Sequence, residues 1–364
     1  MAKVLYIGNY KDGTGWGNAA LGNILSMRAA GIEVVARAIT YKVDPATVAP
    51  MAILTKNVSR NDCDTVVQHV LPNFYSYNGD YDKNIGYLDL ESYNIRPTGW
   101  HRYCNMMDEM WVPSEDTKRL LEDSGVTVPI KIVPHAIDVE EIKNHERTNE
   151  IPALQGLFTF GFIGEFIERK NVKALVQAFH MEFDPKEPVN LLIKTSGKDM
   201  GFIEGYLRGI RNGLRIRDNY RQEIVVTGML KKNEYFTLMN QIDCFVMPSR
   251  GEAFCIPAVE AMALGKNSIY TASTGMDHLL GWDVPSYKVP CFGAVESMTG
   301  LDTAMSTWRE IDVLELCKTM RTAYDTLSDP NRSDERNVTA SLQAQKFGYD
   351  EVGQIIRGVL NDNA

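Results

Sequence analysis

Short β-rich runs alternate with amphipathic stretches along almost the whole chain. KVLYIG at residues 3–8 reads as a strand. A glycine-rich loop follows, then a helix closing at Gly31 and a second strand from Ile32 to near Ile39–Thr40. In that helix Leu21, Ile24, Leu25 and Met27, with Arg28, put apolar residues mainly on one stripe. DTVVQHVLPN is the next strand and carries His69 at its carboxyl end. Strand WVPS leads into a helix that Ser114 can cap, and KIVPHAID follows. Beyond a polar stretch at 144–156, FTFGFIG and VNLLIKT read as strands around a helix, with Lys194 near the end of the second. Strand Glu223–Thr227, helix Asn233–Gln241 and strand Cys244–Pro248 come next, and the terminal FGYDEVGQIIRGVLN has helical periodicity at Val352, Ile355, Ile356 and Val359.

Strands separated by helices predict parallel α/β sheets. A chain of 364 residues is too long for one core and comfortable for two. The polar 144–156 stretch, with a Pro and a Gly, reads as the linker between a first domain at 1–150 and a second at 151–340.

Candidate chemistry concentrates in GEAFCIPAVEAMALG, residues 251–265, where seven residues separate Glu252 from Glu260. Pro257 suits the first helical position and Gly265 the residue just past the helix end. Glu252 then lies in the loop before the helix, and Glu260 in or near its first turn. Loop and helix-start N–H groups can receive a diphosphate, and a carboxylate one turn further can accept from paired ribose hydroxyls. Taken alone, two glutamates at this spacing read as an ordinary capped helix. The flanking strands change that, because they set the pair at the carboxyl end of a parallel strand, where ligands of open α/β sheets bind.

At this point the chain resembles retaining glycosyltransferases of the GT-B fold, specifically glycosyltransferase family 4 (glycosyl transferases group 1). Gly251, Glu252, Phe254, Glu260, Ala261, Met262 and Ala263 match the family's G-E-x-F-x-x-x-x-x-E-A-M-A setting. The resemblance covers most of the chain and is densest from 158 to 278. It implies an α/β GT-B fold, two Rossmann-like domains facing each other across an interdomain cleft, with the last residues (about 341–364) crossing back to the first. It implies a donor on the second domain and an acceptor on the first. Glu260 would hold ribose, Glu252 would approach the transferred sugar with Phe254 and Cys255 beside it, and Lys170 would meet the diphosphate. Arg169 and Lys194 are further donor-side cations, because the family's usual Arg falls here at Glu165, a charge reversal. Gly15 and Gly17 would lie under the donor phosphates. Glu91 stands as the first-domain residue near the reacting sugar, where many members place a His, with His69 as the other candidate. His135 and Ala136 depart from the family's usual Asn and Gly. Retention of anomeric configuration, the absence of a metal and of any cofactor beyond the donor substrate also follow from the resemblance.

The remaining signals narrow the function classes. G-x-G-x-G at 13–17 lacks the spacing and the acidic second-strand end of a nicotinamide dinucleotide site. Asp62-Cys63-Asp64 precedes an apolar run instead of ending one, so it reads as a polar turn and not a metal signature. A net charge of −9 argues against a broad basic face for nucleic acid. Six cysteines without a C-x-x-C pair fit reduced thiols in a cytoplasmic protein. No secretory signal and no apolar run of about 20 residues is visible, which leaves a peripheral membrane association open. The expected partners are a nucleotide sugar and a carbohydrate, lipid or modified nucleic-acid acceptor. Two other readings stand beside this one: a phage-type transferase acting on a modified DNA base, and a non-catalytic nucleotide-sugar binder. Oligomeric state is not legible.

Overall fold

The computed structural model describes residues 3–39, 63–215, 219–280, 284–296 and 307–361. The chain divides into two compact units. The first runs to Asp138 and resumes from Lys346; the second begins at Val139 and includes Trp308–Gln345. Residues 144–156, expected as a linker, lie inside the second unit. There Thr148 N donates to Thr237 Oγ1 at 3.0 Å and Ile151 N to Gln241 Oε1 at 2.9 Å. A polar, Pro- and Gly-bearing stretch can satisfy its backbone on a domain surface as readily as in a linker.

The first unit holds a six-stranded sheet of β1 (Lys3–Gly8), β2 (Glu33–Ala38), β3 (Thr65–His69), β4 (Lys83–Tyr87), β5 (Glu109–Val112) and β6 (Ile130–Ile132). Its order is β2-β1-β3-β4-β5-β6 and neighbouring strands run parallel. The second unit holds β7 (Phe158–Ile163), β8 (Val189–Lys194), β9 (Ile224–Val226), β10 (Cys244–Met247), β11 (Asn267–Thr271) and β12 (Ser286–Val289). Their order is β12-β11-β10-β7-β8-β9, the doubly wound Rossmann arrangement, again parallel. Helices cover both faces of such sheets, so strands such as VNLLIK in β8 are buried along their whole length. Each sheet reverses its winding once, between β1 and β3 and between β7 and β10. In open α/β sheets, ligands bind outside the carboxyl ends of the strands at such a reversal.

The first helix, Gly15–Ala29, departs from the expected stripe. Leu21 is exposed and Leu25 only partly covered, whereas Ala19, Ala20, Gly22, Asn23, Ile24, Ser26 and Met27 are buried. Close backbone approach selected this face. A Cβ on Gly22 would stand 2.5 Å from the Ala136 carbonyl oxygen, and one on Gly353 would stand 2.3 Å from that of Ser26. Gly353 belongs to the final helix, Tyr349–Asn361, which packs along the first helix within the first unit.

Asp62 lies outside the described residues. Asp64 sits immediately before β3 and accepts from Lys3 N at 3.1 Å, so it stands at the amino end of its strand. Among the described residues no helix is long and apolar enough to cross a membrane.

Candidate active site

In the second unit, the loops that follow β7 and β10 meet at the winding reversal. The β7 loop ends in a tight turn, Glu168–Lys170, and Asn171 adopts a left-handed φ of 54° before the helix Val172–Glu182. The β10 loop runs from 248 to 255 and opens the helix Ile256–Ala263, with Pro257 as its second residue. Proline fits there because the N–H it lacks has no partner in the first turn. Gly265, at φ 75°, terminates the helix in the left-handed region.

These two loops bring Glu252, Lys170 and Arg169 together. Glu252 Oε1 accepts from Lys170 Nζ at 2.7 Å and from Arg169 Nη1 at 3.0 Å, and the glutamate is only 5% exposed. Burial raises the Glu252 carboxyl, but Lys170 first and Arg169 second draw it below the ordinary carboxylate range. Arg169 Nη1 also donates to the Gly251 carbonyl at 2.6 Å, so the guanidinium is built into the loop's base. Lys170 keeps more of its side chain accessible, 14% against 8% for Arg169. Two cations against one carboxylate leave the spot net positive.

Three further ties fix this loop. Ser249 Oγ donates to the carbonyls of Arg169 and Gly251. Arg250 donates twice to Glu310 Oε2, at 2.9 and 2.7 Å, and once to the Glu168 carbonyl. Gly275 N donates to the Glu252 carbonyl at 2.7 Å, and a Cβ at Gly275 would stand 1.9 Å from the Ala253 carbonyl oxygen. Only glycine permits that approach.

Phe254 and Cys255 are both buried. Cys255 takes a φ of 84° at the residue before the helix, a conformation rare for a side chain with a Cβ. Burial, and then the charge of Glu252, push its thiol up to about 12, which removes thiolate chemistry from its range of roles. Glu260 is the fifth helical residue, one turn beyond the free N–H groups, and is partly buried. Its Oε2 accepts from the Tyr235 hydroxyl at 2.7 Å. Burial raises its carboxyl to about 7 despite that bond and the nearby Lys232. Lys194 is buried at the end of β8, where its Nζ donates to the Gly228 carbonyl at 2.8 Å, and burial lowers its pKa. Glu165, at the position of the family's usual Arg, is exposed.

The first-unit candidates form their own arrangement. Thr14 caps the first helix by accepting from Gly17 N at 3.1 Å, and a Cβ at Gly17 would stand 2.2 Å from Asp12 Oδ1. Gly17 is therefore required internally, whereas the space beside Gly15 is open. His69 Nε2 lies 2.8 Å from Asp89 Oδ2, and its Nδ1 lies 2.7 Å from the Tyr6 hydroxyl. His135 Nε2 meets the other oxygen of Asp89 at 2.7 Å. Burial would raise the Asp89 carboxyl, but His135 and His69 hold it well below the ordinary range. Burial lowers the His69 imidazole against the pull of Asp89. Glu91 is half-buried, two residues beyond Asp89 in the loop after β4. Sequence reasoning did not anticipate Asp89 as the hub of a network, nor Tyr235, nor the Arg250–Glu310 brace. Their partners are 20 to 60 residues away and carry no local spacing signal.

Residues 158–291 match the family model described as glycosyl transferases group 1. Serotype-specific mannosyltransferase WbdA from Escherichia coli is 28% identical over 121 residues, which are 32% of this chain and 14% of that protein. Alpha-monoglucosyldiacylglycerol synthase from Streptococcus pneumoniae is 22% identical over 222 residues, 58% of this chain and 48% of that protein. The matches thus span about one seventh of WbdA and about half of the synthase. The structure of HepE from Anabaena in complex with UDP and glucose superimposes with a TM-score of 0.69 at 13% identity, covering 100% of both chains. Sucrose-phosphate synthase from Thermosynechococcus elongatus gives 0.70 at 14% identity, over 100% of this chain and 99% of that one. At such identities the likeness is one of fold. Residues 158–291, with the paired glutamates near their end, thus resemble a glycosyl transferases group 1 domain, within a chain of GT-B fold.

Proposed function

We propose that this chain is a glycosyltransferase that moves a hexose or pentose from a nucleoside diphosphate sugar to an acceptor hydroxyl, with retention and without a metal. One observation carries the reading: a buried Glu252 clamped by Lys170 and Arg169 where the second sheet reverses its winding. Breaking a sugar–diphosphate bond puts negative charge on the leaving oxygen while the anomeric carbon becomes oxocarbenium-like. Lys170, the more accessible cation, meets that charge. Arg169 acts through Glu252, fixing the carboxylate that approaches the sugar. Lys194, already committed to a carbonyl, shapes the β8 end more than it binds. Glu260 takes the ribose. In the first unit, Glu91 and the loop at Gly15 serve the reacting sugar and the phosphates, and His69 is held by Asp89 as a support.

HepE was solved with UDP and glucose, WbdA is a mannosyltransferase and the streptococcal relative is an alpha-monoglucosyldiacylglycerol synthase, which supports a hexose donor. The acceptor is a carbohydrate, a lipid or a modified nucleic acid, and the protein works in the cytoplasm, free or against a membrane surface.

The test is donor turnover. Nucleotide sugars are screened by thermal shift, since a ligand stabilises the state that binds it. The best donor is then supplied with and without acceptors while released nucleoside diphosphate is measured. Release that rises only with acceptor supports transfer; binding with no release under any acceptor leaves a non-catalytic binder. Lys170→Ala is expected to lower turnover by about 10²–10³. Unchanged turnover in that variant removes its assignment, and inverted product stereochemistry by NMR removes retention.

A further inference from the structure

Reading Glu260 as the ribose carboxylate raises the question of what keeps that side chain aimed and ionised. The helix Lys232–Asn240 supplies a group that does both. Tyr235, from this helix, donates its hydroxyl to Glu260 Oε2 at 2.7 Å. Oε1 accepts from no protein group among the described residues. One oxygen is therefore pinned and the other is open.

We infer that Tyr235 is a positioning residue for nucleoside recognition, tying up Oε2 of Glu260 so that Oε1 is presented to the vicinal hydroxyls of a ribose. This rests on the reading of Glu260 given above. A free glutamate samples many rotamers and loses that freedom on binding, whereas a pinned one has already lost it. The bond also favours the ionised form, which alone accepts from both hydroxyls.

The setting supports a dependence on pH. Burial lifts the Glu260 carboxyl to about 7, and the Tyr235 bond and Lys232 work against that rise. Burial and the charge of Glu260 hold the Tyr235 hydroxyl well above its ordinary range, so it remains a donor throughout. Lys232 is itself paired with Glu141 of the helix Val139–Lys143, which packs on the Glu260 helix. The helix Pro330–Ala344 also packs there, and its Arg336 is committed to Asn267 and the Tyr287 ring. The adjoining strands bring Cys244 and Tyr270, both kept neutral by burial. Glu260's protonation is thus governed first by burial, with Tyr235 and then Lys232 opposing it. Its folded value lies above its unfolded one, so acid protonates it and removes the acceptor as pH falls through about 7.

The experiment titrates the full chain with UDP and with 2′,3′-dideoxy-UDP between pH 5.5 and 8.5, with GDP and its dideoxy form in parallel. Wild type should prefer the ribo form, and the preference should fade below about pH 7. Tyr235→Phe should weaken the ribo form by about 3–10-fold and move this acid limb upward by about one pH unit. The dideoxy form should be unaffected. A purely structural role would weaken both forms and leave the limb in place. An unmoved limb in a folded Tyr235→Phe overturns the inference while the Glu260 reading stands. A ribo preference unchanged in Glu260→Gln, or no binding of either ribo nucleotide by wild type at pH 8.5, overturns the reading itself. If Tyr235→Phe does not fold, Tyr235→Met, which also lacks a donor, takes its place and should move the limb in the same direction; an unmoved limb there overturns the inference.

Discussion

Glu252 and Asp89 are both buried carboxylates near the carboxyl ends of their sheets, and each is gripped by two nitrogen-bearing side chains. Around Glu252 the partners are a lysine and an arginine; around Asp89 they are two histidines. The geometries are alike, with contacts of 2.7 to 3.0 Å in every case. Their charge behaviour differs. Lysine and arginine stay cationic across the working pH range, whereas an imidazole can give up its proton at little cost. The second unit therefore holds a permanent charge excess suited to an anionic ligand. The first holds a cluster whose charge follows the medium, and its rings are sealed from solvent.

The contrast predicts unequal costs when the central carboxylate is removed. Glu252→Ala should destabilise by about 3–5 kcal/mol, because the buried Arg169 cation loses the carboxylate that balances its charge. Glu252 titrates below the ordinary carboxylate range, so its contribution is complete above that range and is lost only in acid. The deficit should therefore be flat from pH 6 to 9 in denaturant melts, and a loss under 1 kcal/mol would erase the distinction between the two sites. Asp89→Asn should cost less, about 1–3 kcal/mol at pH 7.5, because burial keeps the His69 imidazole neutral.

That second deficit should grow in acid. His69 has its folded value below its unfolded one, so the unfolded chain binds the proton first and stability falls as pH drops below about 6.5. Without Asp89 to favour the protonated ring, the fall should be steeper. Melts of Asp89→Asn at pH 5.5 and 7.5 that differ no more than wild type would contradict this account.

Glu260→Gln should act in the opposite direction. With a folded value raised to about 7, the ionised carboxyl burdens the ligand-free fold above that pH. The substitution should stabilise the free protein at pH 8 by on the order of 1–3 kcal/mol, with the gain gone near pH 5. A destabilised variant at pH 8 would mean that Tyr235 and Lys232 outweigh burial. The smallest expected effect is at Cys255. Replacing it by Gly relieves the left-handed φ of 84° and should gain up to about 1 kcal/mol, readable as a small rise in Tm. A clear loss would assign the thiol's packing more weight than its backbone strain.

Much of this was legible in the amino-acid order. Alternating strands and helices gave two parallel sheets, and Pro257 and Gly265 marked the ends of the motif helix to within a residue. Lys170 and Glu252 could be singled out because each lies in a loop with a recognisable local pattern. The failures have a common cause. Leu21 is exposed because the first helix presents small residues to a close neighbour, and helical periodicity weighs only hydrophobicity. Residues 144–156 joined a unit through side-chain caps from Thr237 and Gln241, about 90 residues away. The role of Asp89 was not legible, since a carboxylate's role is set by partners that the fold brings from two other strand ends.

The glycine contact between the first and last helices bears on how the polypeptide is made. Ile24 and Met27 share one apolar cluster with Val352 and Ile356, which follow them by more than 300 residues. A nascent chain leaving the ribosome must expose that cluster until its closing segment emerges, while the Rossmann sheet in between can already fold. The first unit therefore cannot close until residues 349–361 have been made, and a chain truncated before them should be retained by chaperones.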